Sequence, residues 1–339
     1  MTRLILRRLA AVPVVLIVII LLGFLITNIL PGNPAELRAG QYATTEVIER
    51  TEASLGLDEP WYTQLRIYTG NLLQGDFGEN SLTGLSVSDD LGARWPATVE
   101  LTLVGFLLGL AVGLPLGVMA GLRSNGIWDH AGRLVAVVGV SLPVFWVGLL
   151  LIYFFYAELG WAPPPTGRAQ IGTEPDDVTG FYLLDSVLTA DPAAFWSSLK
   201  SLILPAITLA LLVAAPVARI ARSSVLEVRN QEYVTMAIAS GLPRRVVLRR
   251  WILRNAMLPV VTMMGILLGY LIGGNILVEI VFAWPGLGGY AFESINNNDF
   301  APVQAFVIVT ALAILMISLV LDVIYAWLNP RVRYAGAED

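Results

Sequence analysis

The chain has 339 residues, of which 56% are hydrophobic and only 14% are charged, and it contains no cysteine. Soluble domains carry about 25% charged residues, so this composition excludes an ordinary soluble globular protein. The absence of cysteine excludes disulfides, thiolate metal sites and cysteine nucleophiles. The single histidine, His130, disfavours a histidine metal site and is expected in an exposed loop. The net charge of −5 is less informative than the positions of the charges.

Arginines and acids occupy different connections between the apolar runs. Acids crowd the connections near 31–97 and 158–199. Arginines lie at the chain ends, beside the second connection and throughout the fourth: Arg3, Arg7, Arg8, Arg123, Arg133, Arg219, Arg222, Arg229, Arg244, Arg245, Arg249, Arg250, Arg254, Arg331 and Arg333. Because cytoplasmic loops carry the excess of positive charge, we expect both termini and the 219–254 loop in the cytoplasm, and the two acidic connections outside.

Six apolar runs approach the roughly 20 residues that cross the hydrocarbon core. We expect membrane helices at Leu9–Leu30, Val99–Leu122, about Leu134 to Ala157, from near Ser201, at Met257–Val281 and at Val303–Leu328. The first run exceeds the about 7–15 residues of a signal-peptide apolar region. The predicted fold class is therefore an all-α polytopic membrane protein with six transmembrane helices and a sizeable first extracytoplasmic loop.

This pattern divides the chain into three parts. Residues 1–30 form the cytoplasmic N-terminal end and the first helix, residues 31–97 an extracytoplasmic cap, and residues 98–339 the core with a cytoplasmic loop at 219–256. In the cap, Thr44 or Thr45 can begin a helix that ends near Gly56. The cap either packs on the membrane helices or meets an extracytoplasmic binding protein, and both interpretations stay open.

Glycines recur every four residues on one face of the second membrane helix, and three more recur in the fifth. They are Gly105, Gly109, Gly113, Gly117 and Gly121, and then Gly265, Gly269 and Gly273. In lipid, small residues allow helices to approach closely and gain dispersion contact. We expect helix packing at these positions, within the chain rather than between subunits.

A polar segment, Glu232–Pro259, interrupts the apolar runs. Gly241 can end a helix in a left-handed conformation, and Pro243 can open the next helix as its first residue. The small residues around Ala239 would let another protein approach the backbone closely. The segment therefore predicts a short helix, a sharp corner and a docking element.

The residues of this segment resemble the EAA loop of ABC-importer permeases, in the dipeptide/oligopeptide and nickel branch. The matching residues are Glu232-Tyr233-Val234, Ala237-x-Ala239-x-Gly241-Leu242 and Arg254-Asn255-Ala256-x-Leu258-Pro259. Further matches are Gly75-Asp76-Phe77-Gly78, Glu279-x-x-Phe282-x-Trp284-Pro285-Gly286-Leu287-Gly288 and Asn329-Pro330-Arg331. The family often has basic residues where this chain has Thr235, Ile238 and Ser240, and usually Asp where it has Asn329.

The resemblance implies a type I importer permease in the cytoplasmic (inner) membrane that carries di- or oligopeptides or similar small solutes, with nickel chelates and sugars left open. Its implied partners are a second permease as a heterodimer, two ABC ATPase subunits, an extracytoplasmic solute-binding protein and membrane lipid, with no nucleic acid. The loop would couple to the ATPase through Glu232, Tyr233, Ala237, Ala239, Gly241 and Leu242.

No residue pattern in the chain predicts catalysis. A phosphate-binding loop needs glycines before its lysine, whereas Lys200 follows Ser197, Ser198 and Leu199. We therefore expect no enzyme activity and no cofactor in this chain, with ATP and Mg bound by partner ATPases. An ion-coupled carrier is disfavoured, because such carriers keep ionisable residues near the membrane centre. A non-transporting membrane scaffold is the remaining alternative.

Overall fold

The computed structural model describes residues 13–21, 23–24, 44–46, 49, 52, 59–81, 83–123, 126–127, 130, 132, 139, 141–274 and 276–328. Most of the predicted first helix, the cap helix up to Gly56, the start of the third helix and Asn329-Pro330-Arg331 lie outside these residues. The described part is nearly all helical, and an isolated bridge between Glu79 and Ser86 is its β-type pairing.

The helices of the described part follow one another along the chain. They are α1 (Trp61–Leu73), α2 (Val87–Leu122), α3 (Val144–Leu151), α4 (Tyr182–Leu188), α5 (Pro192–Arg229), α6 (Glu232–Ala239), α7 (Arg244–Val246), α8 (Arg254–Gly274), α9 (Ile276–Val281), α10 (Leu287–Asn296) and α11 (Phe300–Leu328). Helix α3 continues as π-helix over Ile152–Glu158, and a second π-helix, Val247–Leu253, joins α7 to α8.

Four stretches in the described part are long and apolar enough to cross a membrane: Val87–Leu122, Pro192–Arg229, Arg244–Gly273 and Phe300–Leu321. A shorter apolar helix, Val144–Glu158, lies where the third membrane helix is predicted. Residues 13–21 are helical inside the predicted first span. The architecture is therefore an all-α membrane bundle.

Two membrane helices begin earlier than their apolar runs. Helix α5 starts at Pro192 rather than near Ser201, because Asp191 Oδ1 accepts hydrogen bonds from the amides of Ala193 (2.9 Å) and Ala194 (3.0 Å). Proline at the first position has no amide to satisfy. Helix α2 starts at Val87 rather than Val99, with two aspartates in its first turn that complement the helix dipole.

Helices α2 and α5 form the centre of the bundle and run in the same direction. An ideal Cβ at Gly105 would lie 2.7 Å from Leu209 Cβ, and one at Gly121 would lie 2.7 Å from Val225 Cβ. Between them, a Cβ at Gly113 would lie 2.6 Å from the Ala214 carbonyl oxygen. Since no real Cβ fits at these distances, the two backbones meet directly along the glycine face.

Helices α8 and α11 pack in opposite directions. Gly265 lies against Leu321, Gly269 lies at ordinary contact distance from Ile314, and Gly273 lies against Thr310. We call the end of the bundle where α2 and α5 begin the outer end, and the end that carries α6 and α7 the inner end.

Candidate functional site

The inner end carries the segment that the sequence singles out. Val234 and Ala237, one helical turn apart on α6, are buried in a small core with Val225 of α5 and Val247 and Ile252 of the second π-helix. Side chains three residues apart share a helix face, so this face of α6 is fixed against the rest of the chain. The sequence motif places Ala237 in the coupling set, but its side chain is only 4% exposed and therefore positions α6.

The rest of the α6 surface is exposed, and it carries several apolar side chains. Met236 is 71% exposed and Ile238 is 60% exposed, and Ala239 is exposed beside them. We call these three residues the α6 face. Sequence reasoning missed Met236 and Ile238, because which apolar side chains of α6 are buried depends on how α6 packs against α5 and the second π-helix. Exposed apolar side chains on a short helix indicate a contact surface.

Gly241 turns the chain sharply after α6, as the sequence predicts. Its φ is +76°, the left-handed region in which glycine carries no Cβ penalty. The Gly241 amide donates to Ile238 O (3.0 Å), and the Leu242 amide donates to Ala237 O (3.3 Å). This pair of bonds is a Schellman cap. An ideal Cβ at Gly241 would meet nothing within 4 Å, so the requirement for glycine at this position is conformational.

The fold brings together two parts of the sequence motif that lie far apart in the chain. Asn255 Nδ2 donates to the Tyr233 hydroxyl (3.3 Å) and to Trp251 O (2.8 Å). The Tyr233 and Trp251 rings lie 6.1 Å apart. The Tyr-Val and Arg-Asn-Ala portions of the motif thus contact each other and hold α6 in position. Glu232 is exposed at the start of the helix.

Several arginines precede and follow α6 in the chain. Arg229 Nη1 donates to Leu122 O (2.8 Å) and so caps the C-terminal end of α2, where a cation also meets the negative end of the helix dipole. The other arginines of the segment, Arg244, Arg245, Arg249, Arg250 and Arg254, are exposed. The inner end therefore presents exposed apolar side chains together with exposed positive charges.

At the outer end, the family motif at Glu279–Gly288 forms a buried contact that joins three helices, which we call the joint. Glu279 accepts hydrogen bonds from Thr98 Oγ1 (2.8 Å) and the Gly289 amide (2.9 Å), and Thr98 Oγ1 accepts one from the Leu287 amide (2.8 Å). A Cβ at Gly286 would collide with the Glu279 carboxylate, which explains this glycine of the motif. The carboxylate is enclosed and holds α9 and α10 on α2.

Trp284 completes this joint. Its indole Nε1 donates to Ala97 O (2.9 Å) on α2, and its amide donates to Glu279 O (2.7 Å). The geometry assigns the Glu279–Gly288 motif to helix joining rather than to chemistry. In the part of the chain that the structure describes, no group of three His, Cys, Asp or Glu side chains is placed to hold a metal ion.

A groove of about 430 Å³ opens between α2, α8 and α11. A zwitterionic solute would leave its charges unpaired against this apolar lining, so the groove is not suited to binding peptides. Its lining residues are Trp95, Val99, Thr102, Leu103, Leu268, Ile272, Val309, Leu312, Ala313, Met316 and Ile317.

Comparisons with known proteins match nearly the whole chain. The profile of the family described as "Binding-protein-dependent transport system inner membrane component" matches residues 113–334, and the profile of the corresponding N-terminal region matches residues 1–102. The chain is 40% identical to the "Probable D,D-dipeptide transport system permease protein DdpB" of Escherichia coli (strain K12), over 93% of each chain.

Two further relatives show the same coverage. The chain is 36% identical to the "Dipeptide transport system permease protein DppB" of Alkalihalophilus pseudofirmus, over 97% of this chain and 98% of the relative. It is 38% identical to the "Glutathione transport system permease protein GsiC" of Escherichia coli (strain K12), over 97% of each. Among solved structures, a chain of the inward-facing MetNI methionine ABC transporter is similar in fold, with a TM-score of 0.50, 18% identity, and coverage of 70% of this chain and 94% of that one.

Proposed function

Because the chain belongs to the family of binding-protein-dependent transport system inner membrane components, we propose that it pairs with a second permease to form the pathway for imported di- or oligopeptides. The peptide assignment rests on relatives named for D,D-dipeptide, dipeptide and glutathione transport, all of them small peptides. An extracytoplasmic solute-binding protein delivers the solute to the outer end, and two ABC ATPase subunits bind ATP and Mg at the inner end.

The orientation in the membrane is part of this proposal. Both termini and the inner end lie on the cytoplasmic side, because the exposed arginines of α7 and the second π-helix cluster there and positive charge is retained in cytoplasmic loops. The protein then spans the cytoplasmic (inner) membrane several times, with anionic lipid headgroups beside the arginines.

The observation that carries the ATPase assignment is the α6 face. It is apolar and exposed, its helix is held in the core through Val234 and Ala237, and that helix ends at a sharp glycine turn. We assign the contact itself to Met236, Ile238 and Ala239, with Glu232, Tyr233 and Leu242 at its margin. Ala237 and Gly241 shape the helix and the turn.

The test introduces a charge into the α6 face of the intact transporter. Met236→Asp and Ala239→Asp would bury an unpaired carboxylate in the contact, which is costly, while leaving the core side of α6 unchanged. We expect at least a tenfold loss of ATPase co-purification and of solute uptake, with unchanged membrane abundance. Gly241→Val, which carries a left-handed conformational cost of about 1–2 kcal/mol, should weaken coupling too.

The matched control is Ser223→Asp, which adds the same charge at an exposed position of α5 near the inner end. This variant should keep wild-type co-purification and uptake. If Met236→Asp and Ala239→Asp behaved like Ser223→Asp, α6 would not be the coupling element, and the arginine-rich stretch after Pro243 would become the candidate.

A further inference from the structure

Residues 166–191, within the second outer segment at 158–199, form a well-anchored structure that we call the outer cap, as distinct from the predicted cap at 31–97. A buried ion pair holds it on α2: Arg168 Nη2 lies 2.6 Å from Glu100 Oε2, and both side chains are almost fully enclosed. Glu100 also accepts the Leu183 amide (2.8 Å), and the Arg168 guanidinium lies 3.8 Å from the centroid of the Tyr182 ring. Breaking such a buried pair is strongly destabilising, so the base of the outer cap is firmly fixed.

Two further anchors fix its upper loop. The Gln170 amide donates to Ser197 Oγ of α5 (2.9 Å), and Thr173 Oγ1 lies 2.6 Å from the same atom. Asp185 accepts hydrogen bonds from the amides of Thr179 and Gly180, each 2.9 Å long, and from Thr179 Oγ1 (2.6 Å). The segment between these two anchors is thus held at both of its ends.

Large apolar side chains project from this fixed loop. Ile171, between the two residues bonded to Ser197, is 88% exposed, and Val178, next to the Asp185 anchor, is 60% exposed. Val187 and Leu188 on α4 are exposed as well. Their backbones are already ordered, so a partner that covers them loses little additional conformational entropy on binding.

The charge around these side chains indicates what covers them. The outer cap has five acidic residues and one basic residue, and the basic one, Arg168, is paired with Glu100. Glu174, Asp176 and Asp177 are exposed beside Ile171 and Val178. A membrane surface with anionic lipids attracts basic segments and repels acidic ones. Exposed apolar side chains among acidic residues instead fit a soluble protein that presents apolar side chains among basic residues.

We infer that the outer cap is a docking surface for the transporter's solute-binding protein, with Ile171 and Val178 as apolar contacts and Asp176 and Asp177 as the steering charges. This inference rests on the proposed function, which supplies such a partner. It places a binding-protein contact on the second outer segment, in addition to any contact made by the first. Opposite charges at an interface rim act mainly on the association rate and on its salt dependence.

The experiment uses the complete transporter in nanodiscs and the purified cognate solute-binding protein. Affinity is measured at low and high salt for the wild type, the double variant Asp176→Lys/Asp177→Lys, and Ile171→Ser. We expect the charge reversal to raise Kd at least tenfold at low salt and to remove most of the salt dependence. Ile171→Ser should raise Kd several-fold at both salt concentrations. Glu59→Lys, a single charge reversal at an exposed site in the first outer segment, should change Kd less than twofold.

A nitroxide on Ile171→Cys, the only cysteine in such a variant, separates a protein partner from the lipid surface. The label should be accessible to a water-soluble relaxation agent in the transporter alone and become shielded when the solute-binding protein is added. Shielding by the bilayer without that protein would overturn the inference, as would wild-type affinity in both the charge and the apolar variants. A wild-type transporter that binds no solute-binding protein at all would contradict the proposed function itself.

Discussion

Individual carboxylates at the outer end hold the structure together and are not open to solvent. Glu279 is closed in by Thr98 and Gly289, Glu100 is paired with Arg168, and Asp185 is surrounded by amides. A buried carboxylate that loses its hydrogen-bond partners is costly in free energy. These residues therefore fix the outer ends of α2 and α5 in place.

Asp185 makes the stability of the outer cap depend on pH. Burial acts to raise the pKa of Asp185, but hydrogen bonds from Thr179, Val178 and Gly180 outweigh it and hold the pKa below the ordinary value of 3.8. The ionised carboxylate therefore stabilises the outer cap above pH 3.8, and this stability is lost as the pH falls through the lower, folded-state pKa.

Asp185→Asn should remove that contribution, because an amide NH₂ would face a backbone donor. We expect a loss of about 2 kcal/mol in the stability of the outer cap. The measurement is the labelling rate of a single cysteine at Ala169, a buried cap position, as a function of pH. Asp177→Asn, an exposed neighbour, should label like the wild type, and equal rates for both variants would contradict the assignment.

Helices α2 and α5 are the structural core at the scale of whole elements. Their parallel contact places backbone against backbone over five glycines, from Gly105 to Gly121. That this face sets the stability of the bundle remains a prediction. It follows from the general rule that helix association in lipid depends on close packing, since hydrophobic burial supplies little drive there.

Gly113→Ala tests this prediction within one helix. The added methyl would overlap the backbone of Ala214, which cannot rotate away as a side chain can. Overpacking of this kind costs typically about 1–3 kcal/mol, so we expect a clear fall in the thermal midpoint of the detergent-solubilised protein. Gly92→Ala is the matched control on α2, because its Cβ would meet nothing within 4 Å. It should leave the midpoint unchanged or raise it through better helix propensity.

The apolar runs predicted the centres of these elements but not their beginnings. Val99 and Ser201 begin the apolar stretches, while the helices begin at Val87 and Pro192. An acidic first turn extends α2, and a capping aspartate extends α5. The predicted division at residue 97 stays a prediction, and α2 continues across it. Local signals did predict the Gly241 turn, since a left-handed residue depends on its immediate neighbours.

The long-range contacts could not be predicted from the sequence. Arg168 and Glu100 are 68 residues apart, and Tyr233 and Asn255 are 22 apart. No local pattern marks either pair, because each depends on how distant helices pack. The family resemblance supplied the motif around Tyr233 but not its contact with Asn255, and it gave no indication of the outer cap.

At the scale of the whole molecule, the predicted fold class is confirmed by the helical bundle and its likeness in fold to a chain of the MetNI methionine ABC transporter. Helix α5 joins the outer cap to the α6 face. Its 38 residues correspond to about 57 Å at 1.5 Å per residue, from the Asp191 cap beside the outer cap to the turn before α6. This helix therefore connects the two ends of the bundle.

The most direct test of the proposed function is solute uptake into proteoliposomes that contain this chain, its partner permease and the two ATPases. With the solute-binding protein and a labelled dipeptide outside and ATP inside, uptake should require ATP hydrolysis and persist when a protonophore removes the proton gradient. It should fall at least tenfold with Met236→Asp in α6. Uptake that continued without the ATPase subunits and collapsed with the protonophore would contradict the proposed function and identify an ion-coupled carrier.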